Sequence, residues 1–218
     1  MRTKYFEHQL LPKLTIPRVE IEGKRYYVTP SGERYRSVTT ILSKLSAKDI
    51  QKWRDRVGNE EANKISSKAS NRGTKLHNMM EDYVGNVEDF ALNKMPSTTA
   101  LFLDIQPFVD NNIDLVYGIE YPLYSDTLRA AGTSDLICSY NGKPTVLDYK
   151  TANKPKREEW IFNYFIQSTA YSLMVKERYG IDIEQIVIMI AVDNDNPQVF
   201  VKDPNEFVQK TIDIFNSN

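Results

Sequence analysis

Two spacings of apolar residues divide this chain. Short apolar or alternating runs set between turn residues predict strands, and stretches with an apolar residue every three to five positions predict helices. The sharpest local signal is Asn141-Gly142, the dipeptide of a two-residue β-hairpin turn, flanked by strand-like residues 133–140 and 143–150. Residues 184–192 (EQIVIMIAV) form a nearly unbroken apolar run, the mark of a strand covered on both faces. Residues 18–36 alternate apolar and polar positions around Gly23 and Pro30-Ser31-Gly32, which predicts a small antiparallel meander. Residues 115–124 and 198–202 read as further strands, and Pro122 points to an edge or strand-end position.

Helical spacing fills most of the rest. A short helix follows Ser37, its expected cap, and a longer one is predicted over 47–69 from Ile50, Trp53, Val57, Ala62 and Ile65. Separate helices are predicted over 73–84, over 97–111 with Ser97 as cap, over 157–179 ending at Gly180, and from 203 or 204 to 215. The result is an α/β fold, a central mixed β-sheet flanked by helices. At 218 residues one domain is expected, with a meander extension over 1–36 and the core over 37–218.

The hairpin register carries the chemistry. Cross-strand partners about a two-residue turn at 141 and 142 have residue numbers summing to 283, so Asp135 faces Asp148. Lys150 lies two residues on, along the same face. Leu136, Ile137, Cys138, Val146 and Leu147 make both faces of the hairpin apolar, so the two carboxylates would repel each other in a dry setting. A hard divalent cation is the natural compensation. With an ammonium beside it, that set outlines a phosphodiester-cleaving centre.

Asp135, with Ser134 before it, followed after the turn by Asp148-Tyr149-Lys150, resembles the PD-(D/E)XK nuclease signature. Gly73-Thr74-Lys75-Leu76-His77 resembles the GTxxH element of the RecB-like exonuclease branch, and Gln167-Ser168-Thr169-Ala170-Tyr171 its QxxxY helix. Ser37 to Leu42 with Trp53-Arg54 is similar to an SVTxIL…WR pattern of the same branch, and the likeness extends to the mitochondrial genome maintenance exonucleases and their phage-encoded relatives. The resemblance implies a restriction-endonuclease-like core. It also implies one or two Mg²⁺ or Mn²⁺ ions held by Asp135, Asp148 and the Tyr149 carbonyl, with His77 and Glu120 completing the set directly or through water. Glu81, one helical turn after His77, would orient it, and Gly73 on the same face would admit a close neighbour. Lys150 would position the attacking water, while Gln167 and Tyr171 would hold the strand being cut. Arg72, Lys75 and Lys154 near the site, and Arg34 and Arg36 on the meander, are assigned to the DNA backbone.

Composition narrows this picture. The net charge is −1, yet residues 1–36 carry eight Lys/Arg against four Asp/Glu, and residues 181–218 carry two against seven. A DNA surface would therefore be local, drawing on basic and aromatic residues such as Lys24, Arg25, Tyr26, Tyr27, Arg34, Tyr35 and Arg36. Cys138 is the single cysteine, which excludes a disulfide framework, a cysteine zinc site and a four-cysteine iron–sulfur cluster. No run is long enough to span a membrane, and the first residues lack the features of a secretory or transit peptide. The expectation is a cytoplasmic protein of a bacterial or phage-infected cell, with DNA as partner and no membrane. No recognition-helix or zinc-finger pattern favours sequence-specific cutting. The expected activity is exonucleolytic hydrolysis at single-stranded DNA ends in replication, recombination or repair, with a helicase or recombination protein as a potential partner. The rival readings are a duplex-degrading exonuclease of the lambda type, a structure-specific endonuclease and a non-catalytic DNA-binding subunit.

Overall fold

In the computed structural model, which describes residues 2–22 and 24–217, the strands form one nine-stranded mixed sheet. Gly23 and the side chains of Lys24 and Arg25 lie outside the described residues. The strands are β1 (Glu7–His8), β2 (Arg18–Ile21), β3 (Lys24–Val28), β4 (Arg34–Ser37), β5 (Ile113–Ser125), β6 (Ala130–Tyr140), β7 (Lys143–Ala152), β8 (Gln185–Val192) and β9 (Gln198–Lys202). Their spatial order runs β2-β3-β4-β6-β7-β8-β9, with β5 along the other edge of β6 and β1 beyond it. The pairs β4/β6, β7/β8 and β1/β5 are parallel, and the remaining pairs are antiparallel. The meander over 18–36 is thus continuous with the central sheet, joined to it where Arg36 and Ser37 pair with Ala130 and Ala131.

The expected hairpin register holds. Leu136 pairs with Leu147, Ile137 with Val146 and Tyr140 with Lys143, and Asn141 (φ 52°) and Gly142 (φ 76°) both take the left-handed conformation that a type I′ turn requires. Asparagine and glycine are the residues that tolerate this backbone most readily.

Helices cover both faces. On one face lie α3 (Asn59–Val84) and α4 (Pro96–Asn112), with Leu76, Met80, Phe102 and Ile105 packed on Leu136, Leu147, Tyr149 and Met189. On the other lie α1 (Val38–Ser43), α5 (Phe162–Tyr179) and α6 (Val208–Asn216), with Phe165, Ala170 and Met174 against Ile137, Val146 and Ile188. Every residue of β8 is buried, as its apolar run requires.

Several boundaries differ from the sequence expectation. The helix predicted over 47–69 breaks at Gly58 (φ 86°), leaving α2 (Ala47–Val57) and letting α3 run 26 residues, through the stretch where a separate helix was predicted to begin at Gly73. The apolar stripe of that region is no core face. Only Ala62 of its five residues is buried, and Ile50 is 46% exposed. The cap of α4 is Met95, with Pro96 at the first helical position, instead of Ser97. A short 3₁₀ turn (Glu158–Ile161) precedes α5, and another (Pro204–Glu206) precedes α6. Strand β1 was not expected, since a two-residue strand pairing more than a hundred residues away leaves no periodic signal. Ser37 caps α1 by accepting from the Thr40 N–H, and Gly180 (φ 68°) ends α5.

Candidate active site

The rungs joining β6 to β7 stop at Leu136/Leu147. Beyond that point β7 continues beside β8, while the same edge of β6 is taken up at Ala130 and Ala131 by β4. The sheet therefore forks, and residues 132–135 of β6 border the gap. Side chains enter it from both helical layers: His77 from α3, and Gln167 and Tyr171 from α5.

Asp135 sits at the mouth of the fork. Its Oδ2 accepts from the Tyr149 backbone N–H at 2.9 Å and lies 3.4 Å from His77 Nδ1. Glu120 stands across from Asp135 on β5, between the rungs Ile119/Leu136 and Tyr121/Ser134. One ligand atom each from His77, Glu120 and Asp135 falls within 4.8 Å of the others. Glu120 holds φ at 42°, a left-handed backbone that costs a non-glycine residue of order 1–3 kcal/mol. Strain of that kind in mid-strand persists only where the surroundings enforce it, and here it accompanies a side chain in a polar cluster.

Asp148 lies deeper. Gln167 Nε2 donates to its Oδ1 at 2.8 Å, and the Lys150 ammonium pairs with Oδ2. Lys150 in turn lies 5.1 Å over the Tyr164 ring. Asp148 is outside the group of three, because both of its oxygens are already engaged by chain partners.

The electrostatics follow from this layout. Burial pushes Glu120 up to about 7, with help from the Asp135 and Glu81 carboxylates. Burial also raises Asp148, Asp135 adding to the effect and Lys150 opposing it. Burial alone would raise Asp135, but His77, Lys150 and the Tyr149 N–H outweigh it and hold Asp135 low. His77 is raised: burial pulls it down, and Asp135 more than compensates. Lys150 likewise stays charged against burial because Asp148 and Asp135 face it. Three carboxylates thus converge on partial neutralisation by one imidazole and one ammonium. An imidazole with carboxylate oxygens is a donor set that suits a divalent ion such as Mn²⁺, and the upward push on Glu120 marks a deficit of positive charge that such an ion would fill.

The other expected residues divide. Glu81 is exposed one turn beyond His77 and acts on Glu120 through its charge. At Gly73 a methyl group would sit 3.9 Å from Thr151 Oγ1, an ordinary contact, so no part of the chain makes the close approach expected there. Arg72 is tied to Asp193 and Asn153, which anchors α3 to the β7 and β8 ends. Lys75 lies beside Met95 and lines a cavity of about 1170 Å³ with Lys68, Asn71 and Asp104. Lys154 is exposed in the loop after β7. Tyr171 is buried, with the Thr133 backbone amide directed at its hydroxyl. Sequence reasoning missed Gly132 beside it. A Cβ there would come within 2.6 Å of the Tyr171 hydroxyl, so only glycine lets α5 seat against the fork. A glycine in mid-strand was the available signal.

No protein-family model matches this chain. The human mitochondrial genome maintenance exonuclease 1 is 22% identical over 172 residues, which is 74% of this chain and 50% of the human protein. Its mouse counterpart is 24% identical over 174 residues, 74% of this chain and 51% of its own length. The chain is a relative of these exonucleases. It spans about half the length of the curated relatives it matches. A crystal structure from Eubacterium rectale, described as a candidate exonuclease, aligns with a TM-score of 0.46 at 11% identity over 67% of this chain and 64% of its own. Among the described residues no helix is long and apolar enough to cross a membrane.

Proposed function

We propose that this protein is a metal-dependent nuclease that removes nucleotides from single-stranded DNA ends, in the processing of replication, recombination or repair intermediates. The observation that carries the reading is the fork itself. There His77, Glu120 and Asp135 gather beside the Asp148–Lys150 pair, in a relative of exonucleases.

Hydrolysis of a phosphodiester needs neutralised phosphate oxygens, an activated water and a stabilised leaving oxygen. Mg²⁺ or Mn²⁺ bound by His77, Glu120 and Asp135, with Asp148 and the Tyr149 carbonyl as further ligands, would supply charge neutralisation and an acidified water. The chain's own groups do the rest. The Tyr149 N–H and His77 fix the orientation of Asp135, as partners behind a ligand do. Gln167 fixes Asp148 in the same way, and Gly132 with Tyr171 sets the width of the gap. Lys150, held charged by Asp148, presents an ammonium to the phosphate or to the attacking water. Burial excludes competing water and strengthens each of these contacts.

The test is a gel assay with end-labelled linear and covalently closed single-stranded DNA, in Mn²⁺ or Mg²⁺ and then with EDTA. The expected result is nucleotide release from linear substrate only, abolished by EDTA and by Asp148→Asn. Cutting of circles would replace the exonuclease by an endonuclease. Release that persists in EDTA or in Asp148→Asn would overturn the assignment of the fork.

A further inference from the structure

A second cavity, of about 340 Å³, opens where the meander meets the far end of β6. Its walls are Arg34 and Arg36 of β4, Arg129 of the β5–β6 turn, Tyr26 of β3 and Tyr35. Buried Ile41, Leu128 and Phe215 form an apolar floor. Among the described residues that line it none is acidic. The nearby Asp126 carboxylate is occupied, accepting from the Tyr35 hydroxyl at 2.8 Å and from Arg178 at 2.9 Å. Glu33, beside Arg34 in sequence, is the remaining local acid.

Arg129 holds φ at 49°, a left-handed backbone adopted here by a long charged residue and not by glycine. The chain therefore sustains strain at two places around this sheet, at Glu120 in the fork and at Arg129 in this cavity. The two are joined by one strand. Arg129 precedes Asp135 by six residues, which along β6 is roughly 20 Å. That distance corresponds to about six nucleotides at the ~3.4 Å spacing of a stacked strand, and fewer where the strand is extended. The meander is also adjacent to the fork, since β3 touches β6.

We propose that Arg34, Arg36 and Arg129 form a phosphate-binding subsite that grips the DNA strand a few nucleotides away from the cleavage centre, with Tyr26 and the apolar floor receiving an unpaired base. Guanidinium groups suit phosphate oxygens because they donate in a planar fork, and a tyrosine face offers sequence-tolerant stacking. A strand held at both ends of β6 would be drawn across the fork at a fixed distance from its anchored phosphates. This subsite rests on the nuclease reading for its substrate, but its binding can be measured without any cleavage.

Fluorescence anisotropy of labelled 4- and 12-nucleotide single strands with the full chain in EDTA, between 50 and 200 mM salt, tests it. The 12-mer is expected to bind the Arg34→Ser/Arg129→Gly double variant at least tenfold more weakly than the parent, with the slope of log K against log salt reduced by about 1.4, or ~0.7 per lost phosphate contact. The 4-mer is expected to show a smaller loss. Glycine at 129 relieves the left-handed turn, and a melting curve matching the parent's shows that folding is kept. Should the double variant melt early, Arg34→Glu alone, at an exposed position, must still weaken the 12-mer. An unchanged affinity and salt slope, failure of the parent to bind the 12-mer, or equal competition by poly-glutamate would each overturn the subsite. Binding that behaves as expected without Mn²⁺-dependent cleavage would leave the subsite standing and remove the nuclease reading.

Discussion

The two halves of the β6–β7 hairpin follow opposite rules. From the turn to the Leu136/Leu147 rung, the strands are paired and their side chains are mostly apolar and buried on both faces. Past that rung they separate, and Asp135, Asp148 and Lys150 occupy the opening. The closed half gains from apolar burial, and every rung there reinforces the same register. The open half holds buried charges that burial disfavours, kept in place by His77, Gln167 and a backbone amide. The contrast shows one half acting as a ruler. The turn at Asn141-Gly142 fixes, roughly 20 Å away, which carboxylates meet.

The largest effect that would sharpen this contrast is on chemistry. Asp148→Asn should slow nucleotide release by roughly 10³-fold, the several kcal/mol expected when a metal-centred charge array is disabled, while the melting temperature stays the same or rises. A melting loss comparable to that of a core truncation would break the contrast. Leu147→Ala, one residue earlier in the closed half, should do the reverse. Urea unfolding is expected to show a loss of about 2–5 kcal/mol, with the release rate per folded molecule close to the parent's.

Gly132→Ala should fall between the two. Its methyl would collide with the Tyr171 hydroxyl, and overpacking of this kind costs about 1–3 kcal/mol. Activity should fall as well, and Tyr171→Phe in the same chain should restore part of the stability by removing the oxygen that is struck.

The smallest effect concerns pH. Glu120 is raised to about 7, Asp148 is raised, and His77 is raised. A group with a raised folded pKa contributes stability that is complete below its unfolded pKa and is lost as pH rises through the folded value. All three therefore act in one direction, and the metal-free protein should melt at progressively lower temperature from pH 5 to pH 8. Mn²⁺ should recover most of that loss at the upper end, where Glu120 is ionised. A flat melting profile across this window would show the open half to be better neutralised by chain partners than its geometry implies.

Local sequence was most informative where one turn controls many contacts. Asn141-Gly142 alone yielded the register that aligns Asp135 with Asp148, and the unbroken run at β8 identified the strand buried on both faces. The position of His77 on a helix facing the fork also agreed with its motif. Non-local features were illegible. Arg72 reads as a free basic side chain until the fold brings Asp193 and Asn153 to it. The stripe from Ile50 to Ile65 has core-like spacing, but Gly58 turns the chain and leaves most of it uncovered. The left-handed backbone at Glu120 and Arg129 has no sequence signature, because nothing in a glutamate or an arginine announces a positive φ.

The break at Gly58 has a consequence for how the molecule opens. Helix α2 buries none of its residues, so little beyond its own backbone ladder resists unwinding. Its amide protons should trade with deuterated solvent long before those of β8, in excursions that leave the catalytic fork shut. The protein therefore carries a loosely tethered arm on a rigid frame, one that can melt and re-form many times within the lifetime of a single folded molecule.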